Sequence, residues 1–134
     1  MGVTNTLVCN FCSEERDSID HFIWNCRYVQ LFWKSLERMI KEKCENAVNV
    51  KISQNVVLFG HDNTIKTDDV FDYIILLAKL HIYTCKMQTC HPNIQTFQKQ
   101  LKLRYRIEEH NAKLNGDLSK FYINWYFYKQ LFLD

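Results

Sequence analysis

Four residues near the start of the chain have the types and the spacing of metal ligands. Cys9, Cys12, His21 and Cys26 follow the pattern C-x2-C-x8-H-x4-C. Thiolate sulfur and imidazole nitrogen are ligands that zinc prefers, and four of them complete its tetrahedral shell. Because a catalytic zinc needs a vacant position for water or substrate, this pattern predicts a zinc ion that holds the fold together. A hydrolytic zinc enzyme is excluded if all four residues bind the ion.

Two other interpretations of these cysteines remain open. Cysteine is among the most frequently buried residues, so a cysteine-rich stretch can simply belong to a core. The second interpretation is a disulfide framework. Nothing at the start of the chain resembles a secretory signal, so we expect a reducing compartment, the nucleus or the cytoplasm, where disulfides are rare. The remaining Cys44, Cys85 and Cys90 lie in apolar helical patterns, and we expect them to be buried, unreactive thiols.

Length and composition predict a mainly α protein. The 134 residues are 47% hydrophobic, which suffices for one small core, and three glycines and one proline provide few turns for a β fold. No apolar run is long enough to span a membrane. We expect a zinc knuckle followed by a small bundle of about four helices. Residues 1–44 would form the knuckle and first helix, and residues 45–134 the helical remainder, packed with it as one domain.

The first helix is expected directly after the last metal ligand. Asp17 or Ser18 can cap a short turn ahead of it, so His21 should project from a helical element. The helix itself should run from Arg27 to Cys44. Its apolar face is predicted from residues at three- and four-residue steps, namely Tyr28, Leu31, Phe32, Leu36, Met39 and Ile40.

Capping residues divide the rest of the chain into helical segments. Ser53 can cap a turn that ends at Gly60, although the surrounding stretch is irregular, and Thr67 can cap a helix to about Gln88. The acidic pair Asp68-Asp69 fits the positive end of that helix better than a metal site. The next helix is predicted from Pro92, in its first turn, to about Leu114. Gly116 should end it and Asp117 should cap a last, aromatic helix.

Aromatic and histidine side chains are predicted to be mainly structural. In the last helix Phe121, Trp125 and Tyr128 should pack inward and Tyr122 and Tyr126 should cover the flank. The histidines without a partner at ligand spacing are expected to be ordinary core or surface residues: His61, His81 and His110. Phe11 and Trp24 should pack around the sulfurs and keep water from the zinc.

Positive charge is concentrated in one segment of a nearly neutral chain. The stretch from residue 79 to residue 106 contains no Asp or Glu and six basic residues: Lys79, Lys86, Lys99, Lys102, Arg104 and Arg106. Such a cluster can neutralise phosphates with little sequence preference, and Tyr105 and His91 could stack on unpaired bases. At 100° per residue Lys99, Lys102 and Arg106 share a helix face and Arg104 points elsewhere. An ordinary solvated helix face is the alternative explanation.

The knuckle resembles the zinc-binding region near the C-terminus of LINE-type (non-LTR) retrotransposon reverse transcriptases. The likeness lies in Cys9-Asn10-Phe11-Cys12, in the run from Asp17 to Cys26, and in the Phe32-Trp33 pair. The family pattern is C-x-x-C, an acidic stretch, E-T-x-x-H-L-F-x-x-C and an F-W pair; here Asp17-Ser18 replaces Glu-Thr. Apolar stretches around Leu58 and Leu77 look like later landmarks of the family, whereas the last aromatic helix matches none.

The resemblance implies a segment without chemistry of its own. Such polyproteins nick genomic DNA and copy their own RNA from the exposed 3′ end, and this region would hold RNA template or target DNA. The chain lacks the paired aspartates of the polymerase and any endonuclease metal site, so we expect no catalysis. Its partners would be RNA or DNA and the remainder of the polyprotein, with no membrane. The alternative is a zinc-stabilised scaffold that docks on the polymerase core or on a host factor.

Overall fold

The computed structural model describes residues 8–44, 51–60 and 68–132, and within them the chain is mainly α-helical. A π-helical turn, His21–Asn25, precedes α1 (Arg27–Lys43), α2 (Gln54–Phe59), α3 (Asp69–Met87), α4 (Ile94–Asn115) and α5 (Leu118–Trp125), and a 3₁₀ segment follows (Tyr126–Leu131). Among these residues the extended pairing is limited to one isolated bridge, Val8 to Arg16. The predicted fold class is confirmed, because α1, α3, α4 and α5 are the four longer helices of the expected bundle.

Helix α1 begins at Arg27 as predicted and ends at Lys43, one residue before the predicted end, but its buried face is rotated from the predicted one. Leu31, which the periodicity places on that face, is 60% exposed. The side chains that α1 buries are Val29, Phe32, Trp33, Leu36 and Ile40. At 100° per residue these five lie within about one third of the helix circumference, and Leu31 lies well outside that arc. Val29 and Trp33 therefore belong to the core in its place.

Helix starts and ends depend on side-chain caps and on left-handed glycines. Ser53 Oγ accepts a hydrogen bond from the Val56 amide at 3.2 Å, as predicted. Helix α2 ends at Gly60 and α4 at Gly116, with φ of 79° and 76°, values that favour glycine. The predicted end of α4 is thus confirmed, whereas the stretch before Gly60, predicted to be irregular with at most a capped turn, forms the short helix α2.

The starts of the two longest helices differ slightly from prediction. Asp68 caps α3, since its Oδ1 accepts from the Phe71 amide at 2.7 Å; the predicted cap Thr67 lies outside the described residues. In α4 the cap is Asn93, whose Oδ1 accepts from the Thr96 amide at 2.9 Å. Pro92 therefore precedes the helix instead of occupying its first turn. Asp117 stands at the start of α5 without a side-chain capping bond.

The helices pack around an aromatic core. Helix α1 contacts the π-helical turn, the 3₁₀ segment and α4, while α3 contacts the π-helical turn, α4 and α5. The Phe32 ring contacts that of Phe97 at 5.6 Å between centroids, which joins α1 to α4, and it contacts Trp33 on its own helix at the same distance. No described helix has the length and hydrophobicity needed to cross a membrane.

The C-terminal aromatic residues divide as predicted. Phe121, Trp125 and Tyr128 are buried, and Tyr122 and Tyr126 are exposed. The Tyr128 hydroxyl donates to Asp68 Oδ2 at 2.7 Å, so the 3₁₀ segment is fastened to the start of α3. Burial, together with this hydrogen bond to a carboxylate, raises the pKa of Tyr128.

Candidate metal centre

The first pair of predicted ligands lies on a tight turn that folds back on itself. The Ser13 amide donates to the Cys9 carbonyl at 2.8 Å, and the Cys9 amide donates to the Glu15 carbonyl at 2.9 Å. Ser13 has φ of 57°, in the left-handed region that a non-glycine residue rarely occupies. This reversal places Cys9 and Cys12 side by side.

The second pair flanks the π-helical turn: His21 is its first residue and Cys26 follows its last. Ser18 Oγ accepts from the His21 amide at 3.1 Å, which confirms the predicted cap. The Cys26 amide donates to the His21 carbonyl at 2.8 Å, a return of five residues. In a regular α-helix, residues five apart diverge by about 140°. The wider turn, and the extended conformation of Cys26 after it, let both side chains reach one point.

The four ligand atoms form one cluster of the size that a metal ion requires. All lie within 4.8 Å of one another. Cys9 Sγ is 3.9 Å from Cys26 Sγ, and Cys12 Sγ is 3.4 Å from His21 Nε2. Around a tetrahedral ion with bonds of about 2.3 Å to sulfur and about 2.0 Å to nitrogen, ligand atoms lie about 3.5–3.8 Å apart. Cys9, Cys12, His21 and Cys26 could therefore hold a metal ion.

Two of the thiols differ in acidity. Burial opposes ionisation of Cys12, yet hydrogen bonds from the Glu14 and Glu15 amides, with further ones from His21 and Cys9, lower its pKa to about 6. Burial raises the pKa of Cys26 to about 11, and the neighbouring thiolates contribute in the same direction. The shift favours the thiolate form of Cys12 at neutral pH, whereas a nearby cation would be needed to favour ionisation of Cys26.

The cluster is shielded from solvent. Cys9 and Cys26 are fully buried and His21 is nearly so. Phe11 is buried and Trp24 half-buried, as expected of side chains that keep water from the site. The Trp33 indole donates to the Ile23 carbonyl at 2.8 Å, which fixes α1 against the π-helical turn.

Three contacts that the sequence did not reveal attach the knuckle to the end of α3 and the linker beyond it. Lys86 forms an ion pair with Asp17, and both side chains are mostly buried. Asn10 Nδ2 donates to the Lys86 carbonyl at 2.7 Å. His91 Nε2 lies 2.7 Å from the Phe11 carbonyl. These residues are 69 to 80 positions apart in the chain, so no local pattern could have joined them.

The six residues assigned to nucleic acid fall into different environments. Lys86 forms an ion pair with Asp17 of the knuckle, and Lys79 Nζ donates to the Val57 carbonyl at 2.8 Å, so both lysines have partners within the chain. The other four lie on α4, where Lys99, Arg104 and Arg106 are exposed and Lys102 is half-buried. The proposed stacking residues also have partners: His91 stacks on Tyr28 at 4.3 Å and Tyr105 on Phe132 at 4.1 Å.

The remaining histidines and cysteines match the prediction with one exception. His81 is a buried core histidine whose Nδ1 lies 3.0 Å from Gln100 Oε1, and His110 is exposed; His61 lies outside the described residues. Cys44 and Cys85 are buried, but Cys90 is exposed, so its predicted burial is wrong. Cys90 follows the end of α3, where Thr89 adopts φ of 55° and turns the chain outward.

No protein-family model, no curated protein and no solved structure matches this chain. What the chain does must therefore be argued from its own residues.

Proposed function

We propose that the chain is the nucleic-acid-binding C-terminal domain of a LINE-type reverse transcriptase polyprotein, with a structural zinc and no catalytic activity. It would hold RNA template or target DNA while another part of the polyprotein performs the chemistry. The observation that carries the proposal is the joint presence of a closed ligand cluster and a basic helix face. The spacing of the knuckle residues, which resembles that family, favours the assignment over other zinc-stabilised helical domains.

Zinc fits the cluster better than other common metals. Three sulfurs and one imidazole form a donor set typical of structural zinc, and calcium and magnesium prefer oxygen ligands. All four positions around the ion would be filled by protein atoms, which leaves none for a reacting water. A reducing compartment, nucleus or cytoplasm, would keep these thiols free to bind.

The proposed binding surface is one face of α4. Lys99, Lys102 and Arg106 lie within about 60° of one another around the helix, and Lys113 extends the same face by two more turns. Lys99 and Arg106 are exposed and form no ion pair with another described residue. Positive groups at this spacing can contact successive phosphates, which gives affinity with little sequence preference.

A titration of the purified, zinc-loaded chain against a labelled RNA and a DNA of the same sequence tests the proposal. At two salt concentrations, affinity should fall steeply as salt rises. The triple variant Lys99→Ala/Lys102→Ala/Arg106→Ala should bind both ligands more weakly and lower the salt slope by about three, one per lost phosphate contact. Arg104→Ala, on another face of α4, is the matched control and should change little.

Unchanged affinity of the triple variant, with loss of binding in Arg27→Ala or Lys34→Ala, would place the surface on the knuckle and contradict the assignment.

A second candidate function, docking on the polymerase core or a host factor, is favoured by exposed apolar side chains near the C-terminus, among them Ile123 and Phe127. Apolar docking should respond little to salt, so the same titrations separate the two functions.

A further inference from the structure

Helix α3 exposes an apolar stripe to solvent. Leu76, Leu80, Tyr83 and Met87 follow one another at four-, three- and four-residue steps, and each is 50% to 65% exposed. The stripe is about 17 Å long. The two charged residues on this stretch lie at its edge and are engaged elsewhere, Lys79 with the Val57 carbonyl and Lys86 with Asp17. A continuous apolar stripe of this kind is unusual on a surface that has no partner.

A groove between α3 and α4 continues the stripe. It encloses a cavity of about 250 Å³, with Leu80 and Thr84 on the α3 side and Leu103 and Ile107 on the α4 side. Leu103 is 61% exposed and Ile107 40%, so the α4 wall is also open to solvent. Phe97 and Leu101, both fully buried, form the floor. Because a short linker joins α3 to α4, the two walls belong to a rigid helical hairpin.

The charge around the groove has one sign. Among its described lining residues Arg104 is the charged one, and none is acidic. Lys99 and Arg106 lie on the adjacent exposed face of α4. None of the three forms an ion pair with another described residue. The acid nearest in sequence, Glu108, accepts a hydrogen bond from the Tyr73 hydroxyl at 3.3 Å and faces away from the groove.

We propose that the groove between α3 and α4 binds an amphipathic helix of a partner protein, with apolar residues at three- and four-residue steps and acidic residues along its flanks. A third helix laid along a helical hairpin buries its apolar face by ordinary helix packing. Acidic flanks complement Arg104, Lys99 and Arg106. The proposal does not rest on the proposed nucleic-acid function, but the two surfaces share an edge, because Lys99 and Arg106 also belong to the face of α4 proposed to bind phosphates.

Two other occupants fit the groove less well. Nucleic-acid bases are held mainly by aromatic stacking, whereas the exposed apolar residues that line the groove, Leu80, Leu103 and Ile107, are aliphatic. A second copy of the chain would bring its own Arg104, Lys99 and Arg106 to a symmetric interface, where like charges repel.

A display selection with synthetic helices as the probe tests the proposal. The library holds helices of about 16 residues, about 24 Å long, with leucine at three- and four-residue steps and random flanking positions. The zinc-loaded chain is the bait, and the Leu80→Ser/Leu103→Ser variant is the counter-bait. Both leucines are more than half exposed, so the variant should fold; equal zinc content and melting temperature check this. Selected flanks should be enriched in Asp and Glu.

Synthetic peptides from the selection then measure affinity. Leu80→Ser/Leu103→Ser should weaken binding by at least about tenfold, and Arg104→Glu should weaken it for acidic peptides and strengthen it for peptides with lysine flanks. Leu31→Ser, an equally exposed leucine on α1, is the control and should bind as the unmodified chain does.

Three results would overturn the proposal. One is a selection with no enrichment over the counter-bait, or with enrichment of basic flanks. Another is a dimer of the unmodified chain that Leu80→Ser/Leu103→Ser converts to a monomer, since the occupant is then a second copy. The last is loss of RNA or DNA affinity in Leu80→Ser/Leu103→Ser, which would make the groove a nucleic-acid surface. Failure of the Lys99/Lys102/Arg106 test alone leaves the groove proposal intact.

Discussion

Replacement of Cys12 by serine is the most direct test of the metal centre. Cys12 is the residue of the cluster whose pKa falls to about 6, so it could supply a thiolate to a metal at neutral pH without any further change. It is only half-buried, and a serine of similar size causes little packing loss of its own. An effect on stability would therefore report the loss of the ion.

The expected magnitude follows from preferential binding of the ion to the folded chain. An ion that binds the folded ligands and is released on unfolding stabilises the fold by about 3 kcal/mol when free zinc is about 100 times its dissociation constant. For a chain of this size, 3 kcal/mol corresponds to a fall in melting temperature of about 10 °C. Release of Phe11 and Ile23 from the core would add to this value.

The assay combines elemental analysis with thermal unfolding followed by circular dichroism. The unmodified chain should contain one zinc per molecule, and Cys12→Ser should contain less than one and melt about 10 °C lower. A chelator should lower the melting temperature of the unmodified chain and have little further effect on the variant. Cys90→Ser is the matched control, because Cys90 is exposed and lies outside the cluster.

Two results would refute the reasoning. One is an unmodified chain that neither contains zinc nor gains stability when zinc is added. The other is a Cys12→Ser protein that keeps both its full zinc content and its melting temperature, since Cys12 is then not a ligand.

Three further predictions concern other residues. In the folded protein an alkylating reagent should label Cys90 rapidly and Cys44 and Cys85 slowly, as followed by mass spectrometry; equal rates would contradict their burial. Lys86→Met should lower the free energy of unfolding by about 2–3 kcal/mol, because it leaves the mostly buried Asp17 carboxylate unpaired, and Asp17→Asn/Lys86→Met should recover part of the loss. Burial raises the pKa of Cys44 from 9.0 to about 11, and burial with the neighbouring Cys90 raises that of Cys85 to about 12. Since the unfolded thiols ionise first, stability should be full below about pH 9 and fall as pH rises toward 11–12, and denaturant titrations should show a smaller fall in Cys44→Ala.

The cluster of four candidate ligands could be predicted because its members are close together in sequence. Cys9 and Cys12 share one turn, and His21 and Cys26 share the next, so spacing alone brought the four together. Helix ends were predictable for the same reason, since Ser53, Gly60 and Gly116 act within one turn of their position. The π-helical turn was not expected, because its five-residue return differs from an α-helical turn by a single residue.

The buried face of α1 and the role of Lys86 could not be predicted, because they depend on which element packs where. The spacing of apolar residues shows that α1 has an apolar face but does not fix where that face begins and ends. Contact of α1 with the π-helical turn, the 3₁₀ segment and α4 buries Trp33 and leaves Leu31 exposed. In the sequence Lys86 is one more member of a basic run. Its partner, Asp17, lies 69 residues earlier, where no sequence pattern points to it.

These long-range contacts link the metal centre to the hairpin that carries both proposed binding surfaces. Asn10, Asp17 and Phe11 belong to the knuckle, and their partners Lys86 and His91 lie at the end of α3 and in the linker to α4. If loss of zinc loosens the knuckle, the end of α3 loses two polar contacts and the linker to α4 loses one. The groove between α3 and α4 and the basic face of α4 would then both be affected, although neither touches the metal. Zinc removal should therefore weaken peptide and nucleic-acid binding together, whereas Leu80→Ser/Leu103→Ser should weaken peptide binding alone.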